Sequence, residues 1–308
     1  MSIDSSLIKT PFHSDCLKDK IAFVTGGGSG ICFEIARQLL RHGCSGMTLC
    51  GRREQVLQDA VVALSRDTGH IQTAIHYVVC DVRDSDQCQK AIESSLQVFH
   101  GQLDILVNGA AGNFLAEAGD SFKPKGFKTV MDIDALGTYN MSFGAFEPLK
   151  QSSKHGGRPC IINISATLHY GATFWQTHAS AAKAAVDSIT RSLALEWGEF
   201  NIRVNGIAPG PIANTPGTTK LAPKLLSGNT NSLMSIPLGR LGSTYDVAMA
   251  AVFLASEGAS FISGHTLVVD GGHSLYKKPL IPRERVAAFS ISIESKSRLQ
   301  KPELVSKL

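Results

Sequence analysis

A glycine-rich turn near the N-terminus carries the first chemistry that the sequence suggests. The segment TGGGSGI (residues 25–31) follows an apolar run and precedes a stretch with helical periodicity, and three of its glycines are Gly26, Gly28 and Gly30. Backbone N–H groups in such a turn, together with the N-terminus of the following helix, can hold a pyrophosphate. Because glycine also serves ordinary tight turns, the segment alone does not establish a nucleotide site.

Two arginines after the second apolar run bear on which nucleotide the turn would hold. Gly51 is followed by Arg52 and Arg53, with no acid among the three residues. Sites that bind NAD usually place an acid here for the ribose 2′-hydroxyl, whereas a guanidinium suits a 2′-phosphate through bidentate hydrogen bonds. Together with the glycine turn, Arg52 predicts NADPH as the cofactor. The alternative is that both arginines only begin a solvated helix.

The elements that must position these residues alternate along the chain. Short apolar runs of the type that forms buried parallel strands are separated by segments with helical periodicity. The runs are IAFVT (21–25), GMTLC (46–50), AIHYVVC (74–80), DILVN (104–108), CIINIS (160–165), IRVNGIA (202–208) and TLVVD (266–270). The alternation predicts an α/β single-domain Rossmann fold, with a doubly wound parallel sheet of about seven strands and helices on both faces.

The predicted Rossmann domain covers residues 20–272, between an N-terminal extension (1–19) and a basic C-terminal tail (273–308). Within it, the long irregular stretch 209–236 is predicted to be a substrate lid, because long connections in compact folds are usually functional. The tail carries eight basic residues against three acidic ones, so it accounts for the whole of the chain's net charge of +4.

Composition argues against several classes of protein. No apolar run approaches the roughly 18 residues of a membrane span, and the N-terminus lacks the apolar stretch of a signal peptide. The seven cysteines are odd in number and lack CxxC spacing, which argues against a disulfide framework and against zinc. No basic, aromatic-rich pattern of the type that binds nucleic acid is present in the sequence. We therefore expect a soluble, non-secreted protein with neither a metal nor a nucleic-acid partner.

Five motifs occur in an order that resembles the short-chain dehydrogenase/reductase family. They are TGGGSGI (25–31), CDV (80–82), NGAAG (108–112), ASAAKAA (179–185) and IRVNGIAPGPI (202–212). By position, the resemblance implies cofactor contacts at Gly26, Gly27, Gly28, Ser29, Gly30, Ile31, Arg52, Asp81, Val82, Asn108, Lys183, Pro209, Gly210, Pro211, Ile212 and Thr215. Cys32 stands where the family usually has glycine. That glycine serves helix packing, so a small thiol is expected to be tolerated there.

The catalytic positions of that family are largely absent from this chain. Most members use a tyrosine four residues before the lysine, a serine about 13 residues before the tyrosine, and an asparagine on an earlier helix. With Lys183 as the lysine, the first two positions hold Ala179 and Ala166, and the asparagine position holds Asp134. Ser165 lies one place away from the serine position. Of the four positions, only the lysine remains.

The missing hydroxyls bear on the substrate. Hydride addition to a ketone leaves an alkoxide, which needs a positioned O–H donor at once. Hydride addition to a C=C bond conjugated with a thioester instead leaves a delocalised enolate, whose oxygen needs hydrogen-bond donors while the proton goes to carbon. The loss of the tyrosine therefore favours an enoyl-type substrate over a ketone.

A narrower branch of the family fits this pattern. Resemblance to the peroxisomal 2,4-dienoyl-CoA reductases lies in GAAGNF (109–114), FKTVMDID (127–134), ISATL (164–168), APGPI (208–212) and VVDGG (268–272). The resemblance implies NADPH-dependent reduction of a 2,4-dienoyl-CoA to a trans-3-enoyl-CoA, an auxiliary step in peroxisomal β-oxidation of unsaturated fatty acids, by a homotetramer. The chain also ends in Ser306, Lys307 and Leu308, a peroxisomal import signal that would bind an import receptor.

The branch resemblance also implies roles for individual residues. The aspartates Asp134 and Asp270 would replace the tyrosine and serine, with Asp270 reaching the substrate from a neighbouring subunit, and Lys183 would hold the nicotinamide ribose. The positions implied for the substrate are Arg52, Arg83, Phe114 and Lys220, the last of which stands where the branch can have an arginine. Two ionised aspartates beside an enolate would oppose the reaction, so we expect a shared proton or a carboxylate-bound water.

Each proposed catalytic residue has a simpler interpretation. Lys183 and Asp187 are spaced i and i+4, which suits an ordinary surface ion pair. Asp134 could make only local hydrogen bonds, and Asp270 precedes two glycines in a common turn pattern.

Three further side chains near the lysine carry groups that titrate or donate. Tyr170 is the rival acid, because it lies near the missing tyrosine in sequence. His169 and His178 are expected to be packing or surface residues rather than acids.

Two other functions are compatible with the sequence. A peroxisomal trans-2-enoyl-CoA reductase, or another short-chain reductase, would also reduce a C=C bond. A non-catalytic NADPH-binding scaffold would explain the lost hydroxyls, but it would not explain the retained lysine and the acidic replacements.

Overall fold

A computed structural model describes residues 10–69, 74–119, 122–221, 235–278, 280–281 and 285–299. Contacts divide the chain into two compact units, Met1–Ser274 and Leu275–Leu308. The larger unit holds the sheet and the residues of the candidate site. The import motif at residues 306–308 lies outside the described residues.

Seven parallel strands form one sheet in the larger unit. They are β1 (Ile21–Thr25), β2 (Gly46–Gly51), β3 (Ile75–Val79), β4 (Ile105–Asn108), β5 (Cys160–Ile164), β6 (Arg203–Pro209) and β7 (Thr266–Val269). Their order across the sheet is β3-β2-β1-β4-β5-β6-β7. The order reverses between β1 and β4, so the carboxyl ends of these two strands open a crevice of the kind that binds nucleotides. The predicted seven-stranded Rossmann fold is confirmed.

Helices cover both faces of this sheet. The helices of the larger unit are α1 (Gly30–Arg41), α2 (Glu54–Thr68), α3 (Ser85–Val98), α4 (Pro124–Met131), α5 (Gly137–Lys154), α6 (Thr177–Trp197), α7 (Pro216–Leu221) and α8 (Thr244–Ala255), and the smaller unit holds α9 (Val286–Leu299). Alternate side chains of β1 mark the two layers. Val24 belongs to a core with α1, α2 and α8, whereas Phe23 belongs to a core with α3, α5 and α6. Over the residues described, no helix has the length and apolarity needed to cross a membrane.

The predicted lid lies partly within the described residues. It starts where β6 ends at Pro209 and includes α7, whereas residues 222–234 lie outside the description. Ile212 forms a short parallel bridge with Gly242, and the N–H of Ala213 donates to the Gly242 carbonyl at 2.8 Å. The start of the lid is therefore joined to the segment that leads into α8.

Helix α8 begins with a reciprocal cap. The Ser243 hydroxyl accepts from the N–H of Asp246 at 3.2 Å, and the Asp246 carboxylate accepts from the N–H of Ser243 at 2.7 Å. Arg240 adds two hydrogen bonds to the same carboxylate, at 2.8 and 2.9 Å. The Arg240 guanidinium is the main reason that the pKa of Asp246 falls to about 2.

Part of the predicted N-terminal extension is packed into the fold. Leu17 has no exposed surface, and its N–H donates to the carbonyl of His42 at 2.8 Å. This segment therefore contributes to the core beside α1.

Candidate active site

The glycine-rich turn lies between β1 and α1, at the crevice. Gly26 has φ of +68°, and a Cβ there would lie 2.9 Å from the carbonyl oxygen of Gly109, so only glycine fits. Ser29 is the extended residue before α1 and makes no side-chain capping bond, which leaves the first N–H groups of that helix for a ligand. The turn has the backbone geometry that a pyrophosphate requires.

Two arginines and an aspartate lie where β2 and β3 end. The Nε of Arg83 donates to both carboxylate oxygens of Asp81, at 2.9 and 3.0 Å. These hydrogen bonds lower the pKa of Asp81, and the charge of Arg52 acts in the same direction. The predicted adenine-binding residue and two predicted substrate residues are thus brought together, and Arg52 stands exposed at the end of β2.

Val82 and Asn108, two further residues predicted to contact the cofactor, connect the segments at the ends of β3 and β4 to α5. The carbonyl of Val82 accepts from the Asn140 amide at 2.9 Å. The Nδ2 of Asn108 donates to Ser142 Oγ at 3.0 Å and to Asn163 Oδ1 at 2.9 Å. Asn108 Oδ1 is buried and has no hydrogen-bond partner in the part of the chain that the structure describes.

Cys32 is accommodated by a glycine on the neighbouring strand end. A Cβ on Gly109 would lie only 2.0 Å from the Sγ of Cys32, so the thiol occupies the space that a side chain at position 109 would fill. The expectation that a small thiol fits here is met by this close packing. Burial raises the pKa of the Cys32 thiol to about 12, which keeps it protonated beside the turn.

The retained lysine forms a buried ion pair with the aspartate at the asparagine position. Lys183 Nζ lies 3.0 Å from Asp134 Oδ2, with side-chain exposures of 9% and 2%, and it donates to the Ile164 carbonyl at 2.9 Å. The other carboxylate oxygen of Asp134 accepts from the N–H of Gly112 at 2.7 Å. The simpler interpretation, in which Lys183 forms a surface ion pair with Asp187, is therefore wrong, because the lysine points inward to Asp134.

A local change of helix type presents Asp134 to the lysine. Residues Asp132–Leu136 form a π-helical segment between α4 and α5. Such segments insert a wider turn into an α-helix and often occur at functional sites. The carbonyl of Asp134 accepts from Thr138 Oγ1 at 2.7 Å within this wider turn. Asp134 is 1% exposed, and its position is consequently well fixed.

Asp270 lies at the end of β7 and is held by its own turn. Its carboxylate accepts from the N–H of Gly272 at 2.8 Å and from that of Ser274 at 2.7 Å. Burial raises the pKa of Asp270, but these hydrogen bonds outweigh it and lower the pKa below its usual value. A Cβ on Gly210 would lie 2.5 Å from Asp270 Cβ, so the aspartate backs onto the predicted nicotinamide segment. Among the contacts described within this chain, none joins it to Asp134.

Tyr170 lies beside the carboxylate of Asp187 and not beside that of Asp134. His169 Nε2 donates to Asp187 Oδ2 at 2.7 Å, and Thr266 Oγ1 donates to Asp187 Oδ1 at 3.3 Å. Burial and the charge of Asp187 raise the pKa of Tyr170 to about 12. These residues line a cavity of about 450 Å³ between α6 and β7. The rival acid is therefore poorly matched to proton transfer near neutral pH.

Alanines occupy the two positions where the family has its tyrosine and serine, so neither position supplies a hydroxyl. Ala179 is 2% exposed on the first turn of α6, and Ala166 follows directly on Ser165 after β5. The Ser165 hydroxyl is buried and donates to the carbonyl of Lys183 at 3.4 Å. Ser165 thus serves the scaffold and does not replace the absent serine.

Phe114 is the predicted substrate residue for which the structure gives most detail. Its ring stacks on that of His178, with centroids 4.3 Å apart, and Phe122 lies 4.7 Å from the same imidazole. His178 has no exposed surface, whereas Phe114 is 39% exposed. His178 was expected to be a packing or surface residue, and its burial against Phe114 and Phe122 agrees with the packing interpretation. Its place directly before Ala179 is the signal that could have singled it out.

The start of the predicted lid lies against the glycine turn. A Cβ on Gly30 would lie 3.2 Å from Cδ of Pro216, the first residue of α7. Ile212 and Thr215, both predicted to contact the cofactor, are buried here. Lys220 lies on α7, and its side chain is outside the described residues.

Comparison with known proteins agrees with this geometry. A family model described as enoyl-(acyl carrier protein) reductase matches residues 26–274. A peroxisomal 2,4-dienoyl-CoA reductase of the (3E)-enoyl-CoA-producing type from Arabidopsis thaliana is 50% identical over 94% of this chain and 96% of its own length. The enzyme of that type from Saccharomyces cerevisiae is 37% identical over 88% of this chain and 92% of its own length.

Solved structures give the same class. A 3-ketoacyl-(acyl-carrier-protein) reductase from Brucella melitensis, complexed with NADH, superposes with a TM-score of 0.75 at 28% identity, covering 84% of this chain and 99% of that one. The fold, the glycine turn and the lysine on α6 together define a short-chain dehydrogenase or reductase. The chain belongs to the peroxisomal 2,4-dienoyl-CoA reductase family within that class.

Proposed function

We propose that the buried pair of Asp134 and Lys183 is the catalytic centre of an NADPH-dependent reductase that converts a 2,4-dienoyl-CoA to a trans-3-enoyl-CoA. The protein is a peroxisomal oxidoreductase of unsaturated fatty-acid β-oxidation. The observation that carries the catalytic assignment is the 3.0 Å ion pair at a site whose two usual hydroxyl positions hold alanine.

The residues of the crevice fit NADPH. The turn from Gly26 to Ser29 and the first N–H groups of α1 would hold the pyrophosphate. Arg52 would bind the 2′-phosphate, because there is no acid among Gly51, Arg52 and Arg53, where NAD sites usually have one. Asp81 and Val82 would flank the adenine. The residues from Pro209 to Thr215 would cover the nicotinamide. When bound, NADPH supplies the hydride that the reaction requires.

Lys183 orients the centre and offsets its charge. An ammonium has three donors, and two of them go to Asp134 and to the carbonyl of Ile164. The third can bind the nicotinamide ribose, as the family position implies. Pairing with Lys183 also reduces the repulsion that an ionised Asp134 would exert on a developing enolate.

Asp134 is placed to handle the proton. Its two carboxylate oxygens are held by Lys183 and by the N–H of Gly112, so its orientation does not depend on a ligand. The reaction needs a proton on carbon after hydride transfer, and a water held by this carboxylate can deliver it. Asp134 therefore has its own partners within the chain. Of the two alternatives, we propose the carboxylate-bound water and not a proton shared with Asp270 of the same chain.

Asp270 and the assembly complete the proposal. We assign Asp270 to the site of a neighbouring subunit of a tetramer. Leu136, Tyr139 and Phe143 leave 44%, 45% and 65% of their surfaces exposed at helical spacing around the start of α5, which supports an interface between copies. Ser306 to Leu308 are assigned to an import receptor.

The substrate contacts remain part of the proposal. Arg52 and Arg83 would bind the phosphates of CoA, and Phe114 would contact the acyl thioester region. Lys220 would add a cation from the lid. Phe114 is well suited to this role, because one face of its ring is packed while 39% of the residue stays exposed.

Turnover of NADPH with a 2,4-dienoyl-CoA, with the product double bond located by NMR, tests the function. We expect NADPH oxidation and a trans-3-enoyl-CoA. A trans-2-enoyl-CoA offered under the same conditions is the matched control and is expected to react far more slowly. Cofactor binding without oxidation on either substrate would contradict the proposal.

A further inference from the structure

Three hydrogen bonds fasten the loop after β4 to the start of α6. The Asn113 amide donates to Gln176 Oε1 at 2.7 Å, and the N–H of Ala116 donates to the Trp175 carbonyl at 3.0 Å. The third joins His178 Nε2 to the carbonyl of Phe114 at 3.0 Å. The loop that carries Phe114 is therefore held from the turn on which the family's tyrosine would stand.

The third bond fixes the tautomer of His178. A carbonyl oxygen can only accept, so Nε2 carries the proton and Nδ1 is a bare acceptor in the neutral ring. Nδ1 is buried and has no hydrogen-bond partner within the described segments. Burial lowers the pKa of His178, which keeps the ring neutral. Its one polar anchor among these segments is thus the bond from Nε2 to Phe114.

The same imidazole also supports the ring of Phe114. The two rings stack at 4.3 Å with an interplanar angle of 22°, and Phe122 packs against both, with its centroid 4.7 Å from the imidazole and 6.0 Å from the Phe114 ring. The main chain and the side chain of Phe114 are consequently both fixed by His178. A substrate-contacting group held in this way depends on its support, because displacements of about 1 Å in a site are costly.

We propose that His178 is a positioning residue of the reductase, which holds Phe114 in the orientation that binds the dienoyl-CoA substrate. The inference rests on the proposed function, because Phe114 is a substrate contact only in a reductase of this kind. His178 acts through Phe114 and takes no part in proton transfer. Its loss is therefore expected to weaken binding of the acyl-CoA and to leave NADPH binding unchanged.

Three substitutions separate the hydrogen bond from the stacking. In His178→Gln the amide nitrogen can take the place of Nε2 and keep the donor to Phe114. In His178→Asn the amide reaches only the place of Nδ1, and in His178→Phe the ring stacks without a donor. His155→Phe is the control, because the His155 imidazole also bonds a main-chain carbonyl, that of Gln151 at 2.8 Å, on an exposed helix end.

The main readout is the Kd of a 2,4-dienoyl-CoA for the NADP⁺-loaded protein, measured by calorimetry, with the Kd of NADPH and the Tm recorded for each variant. We expect His178→Asn and His178→Phe to raise the acyl-CoA Kd about five- to tenfold, which is the effect of one lost hydrogen bond. The Kd of the His178→Gln protein is expected to stay within about twofold of wild type. NADPH affinity and the His155→Phe protein are expected to match wild type.

Any of three results would overturn the inference, of which two concern acyl-CoA binding. One is a Gln variant as weak as the Phe variant, and the other is unchanged acyl-CoA binding in all three. A loss that appears equally in NADPH affinity or in Tm would show a merely structural role and would also overturn it. Failure of the proposed function looks different, because the wild-type protein would then bind the acyl-CoA without oxidising NADPH.

Discussion

The two halves of the sheet's carboxyl edge differ in the kind of group that forms the proposed site. On the β1 to β3 side, the site consists of main-chain N–H groups, one arginine and close packing at glycines. On the β4 to β7 side, the proposed site depends on a few side chains, above all Asp134 at the asparagine position and the retained Lys183, while Ala179 and Ala166 hold the positions of the usual hydroxyls. A backbone cradle is retained as long as the fold is, whereas side-chain chemistry can be exchanged without changing the fold.

Removal of Lys183 is expected to have the largest effect. Lys183→Met leaves the Asp134 carboxylate buried without its cation, which we expect to destabilise the protein by about 3–5 kcal/mol and to lower kcat by about 10³-fold or more. Chemical denaturation and NADPH oxidation on a dienoyl-CoA measure the two effects. A variant of normal stability would show that the ion pair is not significant in solution.

Asp134→Asn tests the proton path without unpairing a buried carboxylate. We expect kcat to fall by about 10²- to 10³-fold, because the amide cannot hold or accept the proton, while the Kd of NADPH stays the same. Tyr170→Phe is the matched control and is expected to keep its activity. The reverse pattern, with the tyrosine variant inactive and the asparagine variant normal across the pH range, would transfer the role to Tyr170.

On the nucleotide side, Arg52→Gln tests the choice of cofactor. Charge-assisted hydrogen bonds to a 2′-phosphate are the stronger kind, so we expect kcat/KM for NADPH to fall about 10- to 100-fold while that for NADH changes little. Arg53→Gln is the neighbouring control. Equal losses with both cofactors would remove Arg52 from 2′-phosphate recognition and would leave only its predicted CoA contact.

The thiol and the glycine beside the turn form a matched pair. Gly109→Ala would place a Cβ 2.0 Å from Cys32 Sγ, and we expect a loss of about 1–3 kcal/mol in unfolding free energy. Combining it with Cys32→Gly removes the clash, so the double variant is expected to recover most of the loss. Additive losses in the double-mutant cycle would show that the two positions do not share this space.

Removal of the Asp246 carboxylate from the cap of α8 should lower the stability of the protein with little effect on its catalysis. Asp246 has a pKa of about 2, below its ordinary 3.8, so its stabilising contribution is present above pH 3.8 and is lost as the pH falls toward 2. Asp246→Asn is expected to cost about 1 kcal/mol at pH 7 and progressively less as the pH falls below 3.8. Urea unfolding at both ends of this range measures the difference. A constant difference would mean that the carboxylate is not the stabilising form.

The fold was predictable because each buried parallel strand is a continuous apolar run. The cofactor edge was predictable because glycine turns and Arg52 act locally. The pairing of Lys183 with Asp134 was not, since it joins helices distant in sequence and depends on the π-helical turn at Asp132–Leu136. The contact of His178 with Phe114 was not predictable for a similar reason, because only the fold brings these two residues together.

We infer that a site without the tyrosine and serine hydroxyls reduces C=C bonds rather than ketones. The most direct test compares NADPH oxidation by the wild-type protein on a 2,4-dienoyl-CoA and on a 3-ketoacyl-CoA of equal chain length. We predict rapid oxidation with the dienoyl-CoA, a trans-3-enoyl-CoA as product, and rates with the ketone lower by about 10²-fold or more, the size of a missing general acid. Comparable rates on the two substrates would contradict the claim.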